Sequence, residues 1–425
     1  MMKDFKKYWR KLDDQAKIFS LSYNKKDTSI FRLSVVLKEK IDVSILQEAV
    51  ELALKKYKVF KMKIQRGFFW YYLEKNYKKP IVAEESDFPF KRLINKQNND
   101  YMFKVTYFNN KINVDYFHAL TDGNSGAEFL KEITYKYLEL SHPKKFKGCI
   151  ITDEILTESE NAYKKNYRRK VKKGYKFPKA YTIKGEALKN DVVSINHFIM
   201  DIDDLKGYSS KYECSLSVFL VAMIAYSLYE ANYRVNDGKK PINICVPINL
   251  KKYFPSETKS NFVSYMMVTL QLKYGKIYTF DDILSKVRKE FERKLKFEKI
   301  VSTMNSDGKK INNIFVRIAP LALKKAAVVL GSLQFKKHFT MTFSNIGKFE
   351  VEDKYNKYID DFFFILSPDW AEKMRCGICS YKDSLVVTFG TNIKCADIEY
   401  KFREMLKENK IKYKIEGNGI NVIPD

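Results

Sequence analysis

The segment Tyr116–Gly123, which reads Tyr-Phe-His-Ala-Leu-Thr-Asp-Gly, holds the residues best suited to chemistry. His118 is one of four histidines in the chain, and a neutral imidazole can accept a proton from a hydroxyl, amine or thiol as that group attacks an electrophile. Asp122 follows four residues later, so its carboxylate either orients the imidazole or binds a cation and holds the loop in shape. The pattern indicates a general base, and a structural histidine at a strand end is the alternative interpretation.

A strand and a helix are expected to position His118. Residues 112–117 alternate in the period-2 pattern of a strand, and Asn109-Asn110 predict a hairpin turn from a strand at 104–108. Apolar residues recur at helical spacing from 130 to 138, so a helix follows and reaches about Leu140. His118 therefore lies where a strand ends and a loop opens. Such a side chain can leave the core and still be held rigidly.

The remaining patterns mix strands and helices in two blocks. In the first, a strand at 30–37 precedes a helix with capping-box spacing at Ser44 and Gln47, and a hairpin joins 61–65 to 68–74 around Arg66-Gly67. In the second, strands are predicted at 192–200, 243–247, 263–272, 338–345, 376–382 and 384–391, and helices at 202–212, 215–233, 280–294, 317–333 and 398–409. Hairpins outnumber crossovers, which predicts an α+β fold.

The length of 425 residues exceeds what one hydrophobic core usually organises, so two domains are expected. We place the first domain at 1–150 and the second at 191–425. Between them, the stretch 151–190 has weak periodicity, and nine lysines and arginines crowd into 164–179. This basic stretch is interpreted as a solvated linker that needs no partner, with an anionic partner such as nucleic acid as the alternative.

The net charge of +27 also suggests nucleic acid, because phosphate neutralisation drives such binding. The lysines are spread over almost every segment, however, and arginine accounts for only 12 of the 78 basic residues. Arginine forms the better fork for phosphates and bases. A diffuse, lysine-rich excess is more typical of an AT-rich coding bias, so a nucleic-acid partner is not favoured.

The six cysteines indicate free thiols in a reducing compartment, and the charged N-terminus has no apolar core for a signal peptide. No run approaches the ~20 apolar residues that cross a bilayer. We therefore expect a cytoplasmic, bacterial protein. Cys376 and Cys379 have redox or zinc spacing, but on a strand they would face opposite ways and no second pair exists, so no metal is expected.

The sequence resembles the CoA-dependent acyltransferase superfamily, which includes chloramphenicol acetyltransferase and the condensation domains of peptide synthetases. It is most similar to bacterial proteins called alcohol acetyltransferases. The His118–Gly123 motif is the specific part of the resemblance. Supporting segments are 31–35, 67–74, 246–251, 253–256, 261–262 and 344–347.

The resemblance implies two chloramphenicol-acetyltransferase-like mixed-sheet domains with a tunnel between them. An acyl thioester of CoA or of a carrier protein enters as co-substrate, His118 deprotonates an alcohol or amine acceptor, and no covalent acyl-enzyme or bound cofactor is needed. Asp122 and Gly123 are structural in the family, and Asp122 pairs with an arginine of the second domain. Lys251 stands at that position here, so the charge is present without the bidentate fork.

The same resemblance places four residues along the tunnel: Tyr116, Asn249, Ser344 and Asn345. Ser344 and Asn345 are candidates for polarising the thioester oxygen, with a strand-ending turn as the alternative. Phe117 replaces the first of the two histidines found in condensation domains, which argues against a peptide-synthetase role. Two other functions stay open: a non-catalytic binding or scaffold member of the fold, and a nucleic-acid binder that uses the basic linker.

Overall fold

A computed structural model describes residues 9–24, 27–146, 161–167, 177–189 and 192–423, apart from the side chains of 306–312. Half of the predicted basic linker, including 168–176, lies outside the described residues, as do Cys149 and the first eight residues. The described part of the linker includes a short helix that ends in Lys164 and Lys165.

The strands follow in chain order: β1 Trp9–Lys11, β2 Ile30–Leu37, β3 Met62–Arg66, β4 Tyr71–Lys75, β5 Val82–Glu84, β6 Phe103–Phe108, β7 Lys111–Phe117, β8 Glu186–Ala187, β9 Ser194–Asp201, β10 Ile242–Asn249, β11 Val263–Leu270, β12 Met341–Lys348, β13 Ile359–Leu366, β14 Met374–Tyr381, β15 Ser384–Thr391, β16 Ile393–Lys394 and β17 Tyr413–Gly417.

The α-helices are α1 Asp14–Ser22, α2 Val43–Lys56, α3 Gly123–Ser141, α4 Ala162–Lys165, α5 Ile202–Lys211, α6 Leu216–Leu228, α7 Phe280–Lys294, α8 Phe297–Asn312, α9 Ile314–Ile318, α10 Leu321–Phe335, α11 Asp353–Asn356 and α12 Asp397–Glu408. The chain continues from α6 into a π-helical turn, Tyr229–Arg234.

Two mixed sheets form the framework of the molecule. The first has the strand order β13-β2-β7-β6-β5, with β5 and β6 parallel and the other pairs antiparallel. The second has the order β11-β10-β12-β14-β15-β9-β17, with β12 parallel to both neighbours. Smaller sheets pair β1-β4-β3 and β16-β8. The predicted α+β architecture with two mixed sheets is therefore confirmed.

Alternating side chains of β14 connect the two hydrophobic cores. Cys376 and Ile378 lie in the core beneath α6, α7 and α12, whereas Cys379 and Tyr381 lie in the core that contains the first sheet, α2 and α3. Close approach of the sheets is possible because Gly377 lies against the backbone of Phe364, where a Cβ atom would overlap the carbonyl oxygen. The two sheets thus pack face to face at this point.

The predicted domain division at 150 and 190 stays a prediction. Strand β13, which comes late in the chain, pairs with β2 along its whole length and forms the edge of the first sheet. The C-terminal part of the chain therefore contributes one strand to the N-terminal sheet.

The local predictions are largely confirmed, with three corrections. Asp42, not Ser44, caps α2, and its side chain accepts the amide protons of Ser44 and Ile45. The single helix predicted at 317–333 is wrong, because Pro320 ends one helix and precedes the next. Helix α8 and strand β13 are among the elements absent from the predictions.

Contrary to the expectation that no run approaches membrane-spanning length, one helical stretch among the described residues, Leu216–Arg234, is long and apolar enough to cross a membrane by length and composition. Its most apolar window is 72% buried inside the protein, and α6 belongs to the second core. This stretch is a core helix of the fold.

Candidate active site

His118 directly follows the last residue of β7. Its backbone amide donates a hydrogen bond to the carbonyl oxygen of Ser29 at 2.9 Å. The imidazole stacks on Phe19 with ring centres 4.3 Å apart, and Phe31 meets it edge-on at 5.2 Å. These aromatic rings fix the plane of a partly buried imidazole, as expected for a side chain that leaves a strand but remains rigidly held.

Asn261 determines which imidazole nitrogen carries the proton. Its Nδ2 donates to the backbone carbonyl of His118 at 2.8 Å, which fixes the orientation of the amide group. Its Oδ1 then lies 3.0 Å from Nδ1 of His118, and because Oδ1 can only accept, Nδ1 carries the proton. Nε2 keeps a free lone pair, and no group in the described part of the chain hydrogen-bonds it. This is the tautomer that a base acting through Nε2 requires.

The environment keeps His118 neutral. Burial lowers the pKa of His118 below its ordinary value, and the positive charge of Arg375 acts in the same direction, whereas Asp122 and the hydrogen bond that Nδ1 donates to Asn261 oppose it. The imidazole is therefore unprotonated at neutral pH and ready to accept a proton.

Asp122 holds the loop after His118 and caps the following helix. Its Oδ1 accepts the amide proton of Ser125 at 2.9 Å and caps the N-terminus of α3. Its Oδ2 lies 3.3 Å from the amide nitrogen of Phe262 and 3.7 Å from Nζ of Lys251. Asp122 makes these contacts while almost fully buried, so it anchors the loop instead of orienting the imidazole.

The second half of the chain clamps this loop at several points. Lys251, whose positive charge lies near Asp122, donates a hydrogen bond to the Ser125 hydroxyl at 2.8 Å. Thr121 donates to the carbonyl of Lys259 at 2.9 Å. Asn124 donates to the carbonyl of Ile346 at 2.9 Å. The segment that carries His118 is thus fixed by contacts from residues more than a hundred positions away.

A cavity of about 1010 Å³ opens in front of His118. Both halves of the chain line it, mostly with apolar side chains, and its lining includes His118, Asp122, Gly123, Asn249, Ser344, Asn345, Phe364 and Arg375. The structure therefore brings His118 together with three of the four predicted tunnel residues. Tyr116 is the exception: it is fully buried, its hydroxyl donates to the carbonyl of Gly126, and it does not line the cavity. Strand β7 is buried on both faces, so Tyr116 packs against α3 in the core.

An ionic cluster forms one polar part of the cavity wall, and no sequence motif pointed to it. Arg375 donates to Asp369 and Glu372, each at 2.7 Å, and Lys336 bridges Asp369 and Asp27 at 2.7 and 2.5 Å. Burial alone would raise the pKa of Asp369, but Arg375 and Lys336 lower it to about 2. The cluster joins the loop before β2, the end of α10 and the start of β14.

Among the described residues, no group of three or more histidine, cysteine or acidic side chains is arranged to hold a metal ion. Cys376 and Cys379 lie on β14 and face different cores, and burial raises the pKa of both thiols. His197 is a core residue: burial lowers its pKa to about 3, and its ring stacks on Phe363.

No family model matches the sequence, and no curated protein matches it either. Solved structures do. The starter condensation domain of rhizomide synthetase RzmA, in complex with C8-CoA, aligns with a TM-score of 0.60 and 10% identity over 96% of this chain and 95% of that one. TRI3 trichothecene 15-O-acetyltransferase from Fusarium sporotrichioides aligns with a TM-score of 0.60 and 10% identity over 94% of each chain.

Polyketide synthase associated protein 5 from Mycobacterium tuberculosis is similar at a TM-score of 0.58 and 13% identity, covering 93% of this chain and 96% of that one. At these identities the similarity defines the fold. The chain has the two-sheet fold of condensation domains and CoA-dependent acyltransferases, as its sequence resemblance implied.

Proposed function

We propose that this protein transfers an acyl group from a thioester to an alcohol or amine, with His118 as the general base. One observation carries the proposal: His118 faces a cavity large enough for substrates, with Nδ1 protonated toward Asn261 and Nε2 left free. The fold shared with known acyltransferases supports the same class of reaction.

The chemistry needs a single base. The acceptor O–H or N–H hydrogen-bonds to Nε2 of His118 and loses its proton to that nitrogen as the oxygen or nitrogen attacks the thioester carbonyl. The tetrahedral intermediate collapses, the C–S bond breaks, and the proton on the imidazolium passes to the departing thiolate. His118 ends neutral. Because the acyl group passes directly from the thioester to the acceptor, no residue of the protein becomes acylated.

The neighbouring residues would position this step. Asp122, held near Lys251, keeps the His118 loop in place, and Gly123 leaves room for Ile346, whose Cγ2 a Cβ atom would approach at 2.8 Å. Ser344 and Asn345 are candidates to donate to the thioester oxygen. Asn249 contacts Asn124 at 3.3 Å and receives the amide proton of Lys251, so it stabilises the second wall of the cavity.

The donor is proposed to be acyl-CoA or an acyl group on an acidic carrier protein, with no permanently bound cofactor. Structures of the RzmA starter condensation domain contain C8-CoA, and one also contains an amino-acid thioester, Leu-SNAC. The five described cysteines are free and four of them are buried, which supports a reducing compartment such as the cytoplasm.

The test is a panel of acyl-CoA and acyl-N-acetylcysteamine donors with alcohols and amines as acceptors. Release of free thiol should depend on the acceptor, and mass spectrometry should find the ester or amide product. The intact protein mixed with donor alone should gain no acyl mass. Donor binding without turnover by any acceptor would instead identify a non-catalytic binding member of the fold, and a stable acyl-protein would contradict direct transfer.

A further inference from the structure

Helices α9 and α10 are unusually exposed for their composition. Phe315 is 76% exposed and Leu330 is 66% exposed, and Ile314, Ile318 and Leu323 are also largely exposed. A helix that is apolar on all sides is normally buried, and soluble proteins rarely expose contiguous apolar patches. Something outside the described chain is therefore expected to cover this segment.

The two faces of α10 have different surroundings. Leu323, Ala327, Gly331 and Phe335 line the cavity in front of His118. The opposite face carries small and aliphatic residues that do not line the cavity and are partly or largely exposed: Ala322, Ala326, Val329, Leu330 and Leu333. A substrate in the cavity would cover the inner face, but the outer face would stay uncovered.

The tip of the β3–β4 hairpin extends this apolar surface. Phe68 is 72% exposed, and its carbonyl accepts the amide proton of Leu321 at 2.9 Å. Lys324 donates to the carbonyl of Phe69 at 2.8 Å and lies over the ring of Trp70 at 3.8 Å. The hairpin tip and the start of α10 therefore form one continuous surface, which reaches the cavity at Trp70, Phe315 and Leu323.

The sequence segments that form this surface carry basic residues and no acidic ones. The sequence contains no acidic residue between Asp307 and Glu350, a stretch that includes Arg317, Lys325 and Lys337. It likewise contains none between Glu51 and Glu74 around the hairpin. Exposed apolar side chains framed by basic ones are typical of segments that lie on an anionic lipid surface.

We infer that the face formed by α9, the outer side of α10 and the hairpin tip docks onto an anionic lipid surface. The exposed phenylalanines at positions 68 and 315 lie on a hairpin tip and a short helix, which suits insertion among lipid headgroups. Because the same surface borders the cavity, a lipophilic substrate could pass from the lipid layer to His118 without crossing water. The docking itself does not depend on the proposed acyl transfer.

The experiment measures sedimentation of the full chain with phosphatidylcholine vesicles that do or do not contain phosphatidylglycerol. The wild-type protein should sediment with the anionic vesicles. The double variant Leu330→Gln with Leu333→Gln should lose at least about tenfold in vesicle partitioning, because both side chains lose their apolar burial. Ile277→Gln, at a 71% exposed position in the β11–α7 loop, is the matched control and should bind as wild type.

A second readout does not depend on the stability of the double variant. A tryptophan introduced as Leu330→Trp should add a shift to shorter wavelength, beyond that of the native tryptophans in the wild type, when anionic vesicles are added, whereas Ile277→Trp should add none. Equal binding by wild type and the double variant would mean that the diffuse positive charge alone binds lipid and would overturn the inference. So would no vesicle binding, or a dimer in sedimentation velocity that the double variant abolishes, since a second copy would then cover this face.

Discussion

The hydrogen bond between Asn261 and His118 gives the sharpest prediction, because one atom of the Asn261 side chain can be changed into a charge. The substitution Asn261→Asp keeps the shape of the side chain, places a carboxylate oxygen where Oδ1 now lies, 3.0 Å from Nδ1 of His118, and replaces the Nδ2 donor to the His118 carbonyl with a second oxygen. Asn261 is almost fully buried, so water screens such a charge weakly. The carboxylate would stabilise the imidazolium and raise the pKa of His118.

The expected size follows from the geometry. An opposite charge this close typically shifts a pKa by roughly one to three units, which corresponds to about 1.4 to 4 kcal/mol. In the wild-type protein burial lowers the pKa of His118 below 6.5, so the active neutral form persists below that pH. As pH falls, kcat/KM should decline only when it passes through this lowered pKa. In the Asn261→Asp variant the decline should begin roughly one to three pH units higher.

The assay is kcat/KM against pH, measured by release of free thiol from the acyl thioester. Asn261→Leu serves as the uncharged control: it should lower the rate at all pH values, because the tautomer is no longer fixed, without moving the acid limb upward. NMR titration of the His118 ring reports the same pKa without turnover. An acid limb at the wild-type position in Asn261→Asp would refute the assignment of His118 as the base.

Three further substitutions test other parts of the structure. Lys251→Met should destabilise the fold by only about 1–2 kcal/mol in urea unfolding, because its ion pair with Asp122 is long and partly exposed; Lys251→Arg should retain stability. Burial raises the pKa of Glu399 from 4.5 to about 7. The protonated carboxyl therefore stabilises the folded state at low pH, and this contribution should be lost as pH rises from 4.5 through 7. Glu399→Gln should accordingly be more stable than wild type by up to about 3 kcal/mol at pH 8 but not at pH 4. Gly377→Val should lower the free energy of unfolding by about 1–3 kcal/mol or more, since its side chain would meet the backbone of Phe364; a stability equal to wild type would contradict the close packing of the two sheets.

Local patterns predicted the elements whose signals lie within a few residues. Strand β2 and helix α7 begin and end where their periodicity placed them. The turn at Asn109-Asn110 also formed, with Asn109 at a positive φ of 53°, a conformation that asparagine tolerates.

Elements defined by distant partners were harder to predict. Strand β13 contains the run Phe362–Ile365, which is buried throughout and therefore lacks the alternation that marks a half-buried strand. Its partner β2 lies more than three hundred residues earlier in the chain. Helix α8 has an amphipathic pattern but no side-chain cap at Lys296, so its start lacks a local signal.

The candidate site shows the same limit. The motif identified His118 as the candidate base, and the resemblance predicted that Lys251 lies near Asp122. The role of Asn261 was not predicted, although the segment 261–262 supported the resemblance. The contact between Asn261 and His118 spans 143 positions of the chain and therefore depends on the fold. The ionic cluster around Arg375 was missed for the same reason: its charges come from separate segments of the chain.

The most direct test of the central claim compares acceptor-dependent thioester turnover in the wild type, His118→Ala and His142→Ala. His142 is the matched control, since it lies outside the cavity beside Glu39 at 3.3 Å. If His118 is the general base, its removal should lower turnover by roughly 10²–10⁴-fold without loss of folded structure, and His142→Ala should match the wild type. Equal rates in His118→Ala and the wild type would contradict the assignment.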